Sequence, residues 1–181
     1  ITSLDWPMIE AMIIGTEMGM AFLMRLALLI AGLCALLASR AGRQGTLIAA
    51  MCFAGALLTL SWSGHAAATE AGLGLFHRLN NGVHLLATSL WLSAICWFLM
   101  LTVKAHRQPD LIPALPLLRV MHGFAPLGVG LVAAAALTGV INAQLIFGLE
   151  NSVAVLTTPY GFLLIAKVVL VGAMLAFGAQ N

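Results

Sequence analysis

His77 and His84 stand seven residues apart in His77-Arg78-Leu79-Asn80-Asn81-Gly82-Val83-His84, and His65 closes an apolar run in Ser63-Gly64-His65-Ala66. On a helix that begins near Phe76, His77, Asn81 and His84 occupy positions i, i+4 and i+7, which at about 100° per residue fall within about 60° of one another. Two imidazoles on one helical stripe, with a third from the end of a neighbouring helix, make a candidate metal site. Imidazole accepts copper, zinc, iron and nickel alike, so these residues alone do not choose the metal. The competing reading is that each histidine anchors at a membrane surface, its ring body in the apolar layer and its tip in water. Gly82, between the pair, is a residue that weakens a helix.

The elements that must position these residues follow from composition. Of 181 residues, 62% are hydrophobic and 8% charged, with a mean hydropathy of +1.06. Soluble domains are about half apolar and about a quarter charged, so this composition demands a bilayer. A bilayer core needs about 20 apolar residues per helix. Five runs meet that length, near 19–38, 46–62, 83–103, 123–147 and 160–179. The fold class expected is therefore all-α, a single polytopic transmembrane helix bundle over 19–181, surrounded by lipid. Residues 1–18, with Asp5, Glu10 and Glu17 among apolar residues and Pro7 in a first turn, predict an amphipathic interfacial helix. The alternating segments of a membrane β-barrel are missing. The chain opens at Ile1 and stops at Asn181 as a hydrophobic run closes, and it reads as a segment of a longer protein with further spans.

Orientation follows from the basic residues. Arg40, Arg43, Lys104, Arg107 and Arg119 fall in loops on one side; the other side carries Arg78 with Asp5, Glu10, Glu17, Glu70 and Glu150. The excess of positive charge faces the cytoplasm, which puts His65, His77 and His84 at the outer, periplasmic face. No polybasic run suits a nucleic acid, and no nucleotide-binding motif suits ATP drive. An enzyme is not expected.

Sulfur makes a second pattern. Met18 and Met20 belong to the outer face with the histidines, as do Met8 and Met12, and thioether is a soft ligand for copper(I). Methionine at helical spacing also serves as packing. Cys34, Cys52 and Cys96 lie in apolar runs toward the inner side, without a CxxC pair, which argues against a disulfide framework. Imidazole outside and thiol inside would suit a metal that arrives on nitrogen and leaves on sulfur, while a buried cysteine is equally a small hydrophobe. Arg25 and Lys167 are charges inside spans. They pair with Glu17, Asn142 or backbone carbonyls, hold an anionic group, or snorkel to the interface. Asn142 is helix glue or part of a pathway. His106 in a polar loop and His122 at the inner start of the fourth span are set aside.

Several segments together resemble the copper resistance protein D family. They are Thr16-Glu17-Met18-Gly19 followed by Arg25, Trp62-Ser63-Gly64-His65-Ala66, His84-Leu85-Leu86-Ala87-Thr88-Ser89-Leu90-Trp91-Leu92, Thr138-Gly139-Val140-Ile141-Asn142-Ala143, and Thr158-Pro159-Tyr160-Gly161 with Lys167. They occur in the family's order across most of the chain. Asn81 departs from the aspartate often found there, and Ser93-Ala94 replaces a Gly-Gly pair. The resemblance implies an inner-membrane protein that takes copper ion at its periplasmic face through His65, His77 and His84. It also implies movement of copper into the cytoplasm and a periplasmic copper-binding partner of the CopC type. Two rivals remain: a membrane b-type cytochrome with haem between helices and propionates near Arg25 or Lys167, and a structural subunit of a larger assembly.

Overall fold

The computed structural model describes residues 5–38, 42–63, 71–148 and 157–179, with backbone alone at 71, 160 and 174–179. Among the described residues there are six α-helices and no strand. They are α1 (Trp6–Ile14), α2 (Glu17–Ala38), α3 (Arg43–Leu58) continuing into a 3-10 turn (Thr59–Trp62), α4 (Ala71–Arg107), α5 (Ala114–Phe147) and α6 (Pro159–Ala179).

The expected N-terminal helix exists but is broken from α2 at Gly15-Thr16. Thr16 makes the corner: its hydroxyl donates to the Met12 carbonyl at 2.7 Å, and its oxygen accepts the Gly19 N–H at 3.0 Å as an N-cap of α2. A Cβ at Gly19 would press on the carbonyl oxygens of Met12 and Ile13, so only glycine lets the end of α1 lie this close.

Within Ile1–Val140, α2, α3, α4 and the part of α5 up to Val140 run antiparallel in succession, as their contacts show. Arg25 of α2 meets Thr59 after α3, while Gly32 of α2 lies against Phe53 and Leu28 against Gly55. Leu58 and Ser61 meet Gly82 of α4. Asn80 and His84 of α4 meet Thr138 of α5, and farther along Phe98 stacks edge-on with Phe124 at 5.3 Å. The start of α2, the end of α3, the first half of α4 and the stretch of α5 around Ala135–Gly139 therefore share one end. The basic residues Arg43, Lys104 and Arg107 collect at the other, as their spacing predicts.

The packing is inverted relative to a soluble protein. The residues with least exposure include Thr59, Ser61, His77, Asn80 and Thr138 beside Ala21, Ala49, Ala56 and Ala87, whereas Phe22, Leu26, Leu90, Leu99 and Val129 face outward. Small residues let backbones approach, polar ones bond across helices, and large apolar ones meet lipid. Among the described residues, four helices are long and apolar enough to cross a membrane: Glu17–Ala38, Arg43–Trp62, Gly72–Arg107 and Ala114–Phe147. The chain is a multi-pass membrane protein. The fifth expected span corresponds to α6, apolar through Gly161–Ala173. Its start is capped by Thr158, whose hydroxyl oxygen accepts the Gly161 N–H at 3.2 Å, with Pro159 in the first turn.

The third and fourth spans begin earlier than expected from 83–103 and 123–147. The 37 residues of α4 and 34 of α5 give rods of about 55 and 50 Å, well beyond a hydrocarbon core of about 30 Å. Hydropathy stops at the polar stretch His77–Asn81, but the helix does not, because neighbouring elements meet its polar groups. Pro126 lies inside α5, where it removes the hydrogen bond to the His122 carbonyl. By contacts the chain divides into Ile1–Val140 and Ile141–Asn181; the site described next lies in the first unit.

Candidate metal site on helix α4

Helix α4 is continuous through Gly82, so His77 and His84 share one rod. Gly82 has a specific reason to lack a side chain. A Cβ there would come within 2.9 Å of Leu58 Cδ2 and 3.6 Å of Ser61 Oγ, and its absence lets the 3-10 turn settle against α4. The Asn81 amide donates to Ser61 Oγ at 3.4 Å, and Ser61 is fully buried.

The turn is held from behind by Arg25. Its Nε donates to Thr59 Oγ1 at 2.9 Å and its Nη2 to the Thr59 carbonyl at 3.3 Å, while the Thr59 hydroxyl donates to the Ala56 carbonyl at 2.7 Å. Among the partners open to Arg25 from sequence, a backbone carbonyl, that of Thr59, is one it meets. The cation sits where α3 ends and its carbonyls carry partial negative charge.

On the opposite flank α4 is bonded to α5. His84 Nδ1 lies 3.0 Å from the Ala135 carbonyl and 3.1 Å from Thr138 Oγ1. The Thr138 hydroxyl is itself donated to the Ala134 carbonyl at 2.6 Å, so it offers His84 a lone pair. Both neighbours of Nδ1 are thus acceptors, and Nδ1 carries the proton. In the neutral ring Nε2 then holds the lone pair, the arrangement by which metal-binding histidines are oriented through a carbonyl on the far nitrogen. Gly139 makes the room: a Cβ there would stand 3.2 Å from His84 Cε1. One turn before, Asn80 Nδ2 donates to the Thr138 carbonyl at 2.9 Å.

His77 is 2% exposed. Beside it Arg78 donates from Nη2 to Glu17 Oε2 at 2.9 Å and stands 6.0 Å from the centre of the Trp62 ring. Seven residues of helix separate His77 from His84 by about 10 Å along the axis. His84 is tied to α5 through Ala135 and Thr138. Among the described residues no three His, Cys, Asp or Glu side chains gather around a common point. His65 lies outside the described residues.

The other expected residues are dispersed. Met18 and Met20 are exposed on α2; Cys34 and Cys96 are exposed and Cys52 is half-buried, all free thiols. Asn142 is buried. Lys167 is exposed on α6, and His106 and His122 are exposed. Among the described residues no histidine on a second helix faces His84; the surface opposite is Ala135, Thr138 and Gly139. Asn80 and Ser61 were not singled out from sequence. Asn80 had a legible signal, since His77, Asn80, His84 and Ala87 repeat at three- and four-residue spacing, the period of a packed stripe.

The polar seam between α4 and α5 is built from the segments whose order along the chain marked the resemblance, and comparison with known proteins agrees. Residues 1–75 match the family described as Copper resistance protein D-like, N-terminal domain, and residues 118–181 match Copper resistance protein D. The chain belongs to the copper resistance protein D family. It is 31% identical over 176 residues to Copper resistance protein D of Pseudomonas syringae pv. tomato, an alignment covering 97% of this chain and 56% of the relative. It is also 31% identical over 127 residues to Inner membrane protein YebZ of Escherichia coli (strain K12), covering 68% of this chain and 40% of that protein. The chain thus spans about half the length of the curated relatives it matches. No solved structure matches it.

Proposed function

We propose that this member of the family binds copper ion at the periplasmic end of the bundle and passes it along α4 toward the cytoplasm, as a carrier of metal and not as an enzyme. The observation that carries the reading is the position of His84 Nδ1, 3.0 Å from the Ala135 carbonyl and 3.1 Å from Thr138 Oγ1, which orients the ring so that Nε2 is the ligand nitrogen of this proposal. His77 supplies the first station of the pair and His84 the second, with His65 as the ligand added from the end of the second span. The weak bonds of two separated imidazoles suit a cargo that must leave as well as arrive. Cys34, Cys52, Cys96, Met18 and Met20 offer softer donors along the same spans. The inner membrane is the location that fits the charge placement and the name of the Escherichia coli relative. A periplasmic copper-binding protein of the CopC type is the donor this reading calls for.

Copper titration of the purified chain tests it. The unmodified protein binds copper, and His84→Ala and His77→Ala each lower the affinity; equal binding by the double variant would refute the assignment. The cytochrome alternative gains nothing from the structure, since the face opposite His84 holds no second imidazole among the described residues.

A further inference from the structure

We propose that the basic end of helix α4 is a seat for one anionic phospholipid, its phosphate held by Lys104 and Arg107 and its acyl chains laid on Leu99, Met100 and Val103. The apolar stretch 83–103 of α4 measures about 30 Å, the thickness of a hydrocarbon core, so the residues just past it stand at the level of the headgroups. Lys104 and Arg107 are the first two permanent charges beyond that boundary. Charge placement marks it as the cytoplasmic boundary, where anionic lipids give the membrane surface its negative potential.

This end is a shaped surface and not only a pair of snorkelling cations. A hollow of about 490 Å³ is lined by Leu99, Met100, Val103, Lys104, Arg107 and Gln108. At helical spacing Met100 stands one turn before Lys104, and Val103 one turn before Arg107, so each cation has an apolar neighbour on its membrane side. Leu99 is 62% exposed, Met100 57% and Val103 43%, which leaves them to acyl chains and not to neighbouring helices. Lys104 and Arg107 are exposed too, and among the described residues neither joins an ion pair; the bridge found there is Arg78–Glu17, at the far end of α4. Their charge is thus open to an anion from outside the chain. After α4 the backbone turns back, with the N–H groups of Leu111 and Ile112 donating to the Gln108 carbonyl at 3.1 and 3.3 Å. The Gln108 amide, lining the hollow, adds a donor suited to a phosphate oxygen. A zwitterionic headgroup brings its own cation to the same place and gains less.

Native mass spectrometry of the intact chain in detergent, with phosphatidylglycerol or phosphatidylcholine of identical acyl chains added, counts the lipids bound. Copper is absent throughout, so the result does not depend on what the protein carries. One phosphatidylglycerol should bind per chain, clearly more tightly than phosphatidylcholine. Lys104→Gln or Arg107→Gln should weaken it about fivefold and the double variant about 30-fold, the weight of one and of two basic residues near an anionic lipid surface. Arg43→Gln removes the same charge from the same end at a residue that does not line the hollow, and should leave binding unchanged. Inorganic phosphate should fail to displace the lipid, since it lacks the chains. Equal binding of the two lipids by the unmodified protein overturns the proposal whatever the variants do. An equal loss in Arg43→Gln reduces the effect to net charge and overturns it as well, and displacement by inorganic phosphate assigns the two cations to a free anion instead.

Discussion

His84 Nδ1 lies within hydrogen-bond distance of two oxygens of α5, 3.0 Å from the Ala135 carbonyl and 3.1 Å from Thr138 Oγ1. Contact between two helices of the bundle thereby orients this imidazole. The claims about copper rest on this pair.

Thr138→Ala removes one of the two acceptors that orient the ring while leaving the Ala135 carbonyl. Copper affinity should fall by roughly 10- to 100-fold, the usual loss when the partner of a metal-binding histidine is removed. Thr138→Ser keeps the hydroxyl and should bind close to normally. Isothermal titration of both variants measures the difference.

Gly139→Ala and Gly82→Ala should part company. At Gly139 the new methyl meets the His84 ring at 3.2 Å, and the ring is pinned by two hydrogen bonds, so copper binding falls. At Gly82 the obstacle is the tip of Leu58, which can turn aside, and alanine favours helix by about 1 kcal/mol. Copper binding and thermal unfolding in detergent report the two effects separately.

Gly19→Ala should be the most disruptive of the three. Its methyl would strike backbone oxygens of α1, which cannot rotate away as a side chain can. A loss of about 1–3 kcal/mol is expected from such overpacking, read as a lowered unfolding midpoint in mixed micelles.

Arg25→Ala should cost about 1.5–3 kcal/mol, the weight of hydrogen bonds from a charged donor, by stripping the bonds that hold the 3-10 turn. Arg25→Lys should recover only part of this, since a single ammonium does not reproduce the guanidinium fork. Unfolding in mixed micelles checks the order: Arg25, then lysine, then alanine.

Much of the bundle was legible beforehand because lipid imposes a length on every apolar run, and α2, α3 and α5 all contain the runs that Leu, Ile, Val and Ala marked out. The face joining His77 to His84 was legible for the same reason, through helical periodicity. The start of α4 at Ala71 was not, because hydropathy registers Arg78, Asn80 and Asn81 as exposed when Glu17, Thr138 and Ser61 satisfy them from distant parts of the chain. Arg25 shows the same limit: its charge was conspicuous, yet only folding reveals that Thr59 is its partner. Long-range hydrogen bonds of this kind leave no local signature.

Uptake of copper into sealed vesicles tests the central claim most directly, comparing the unmodified protein with His77→Ala/His84→Ala at equal protein amount and equal helical content. Uptake by the double variant should drop to the level of vesicles without the protein; uptake at the unmodified rate would contradict the account.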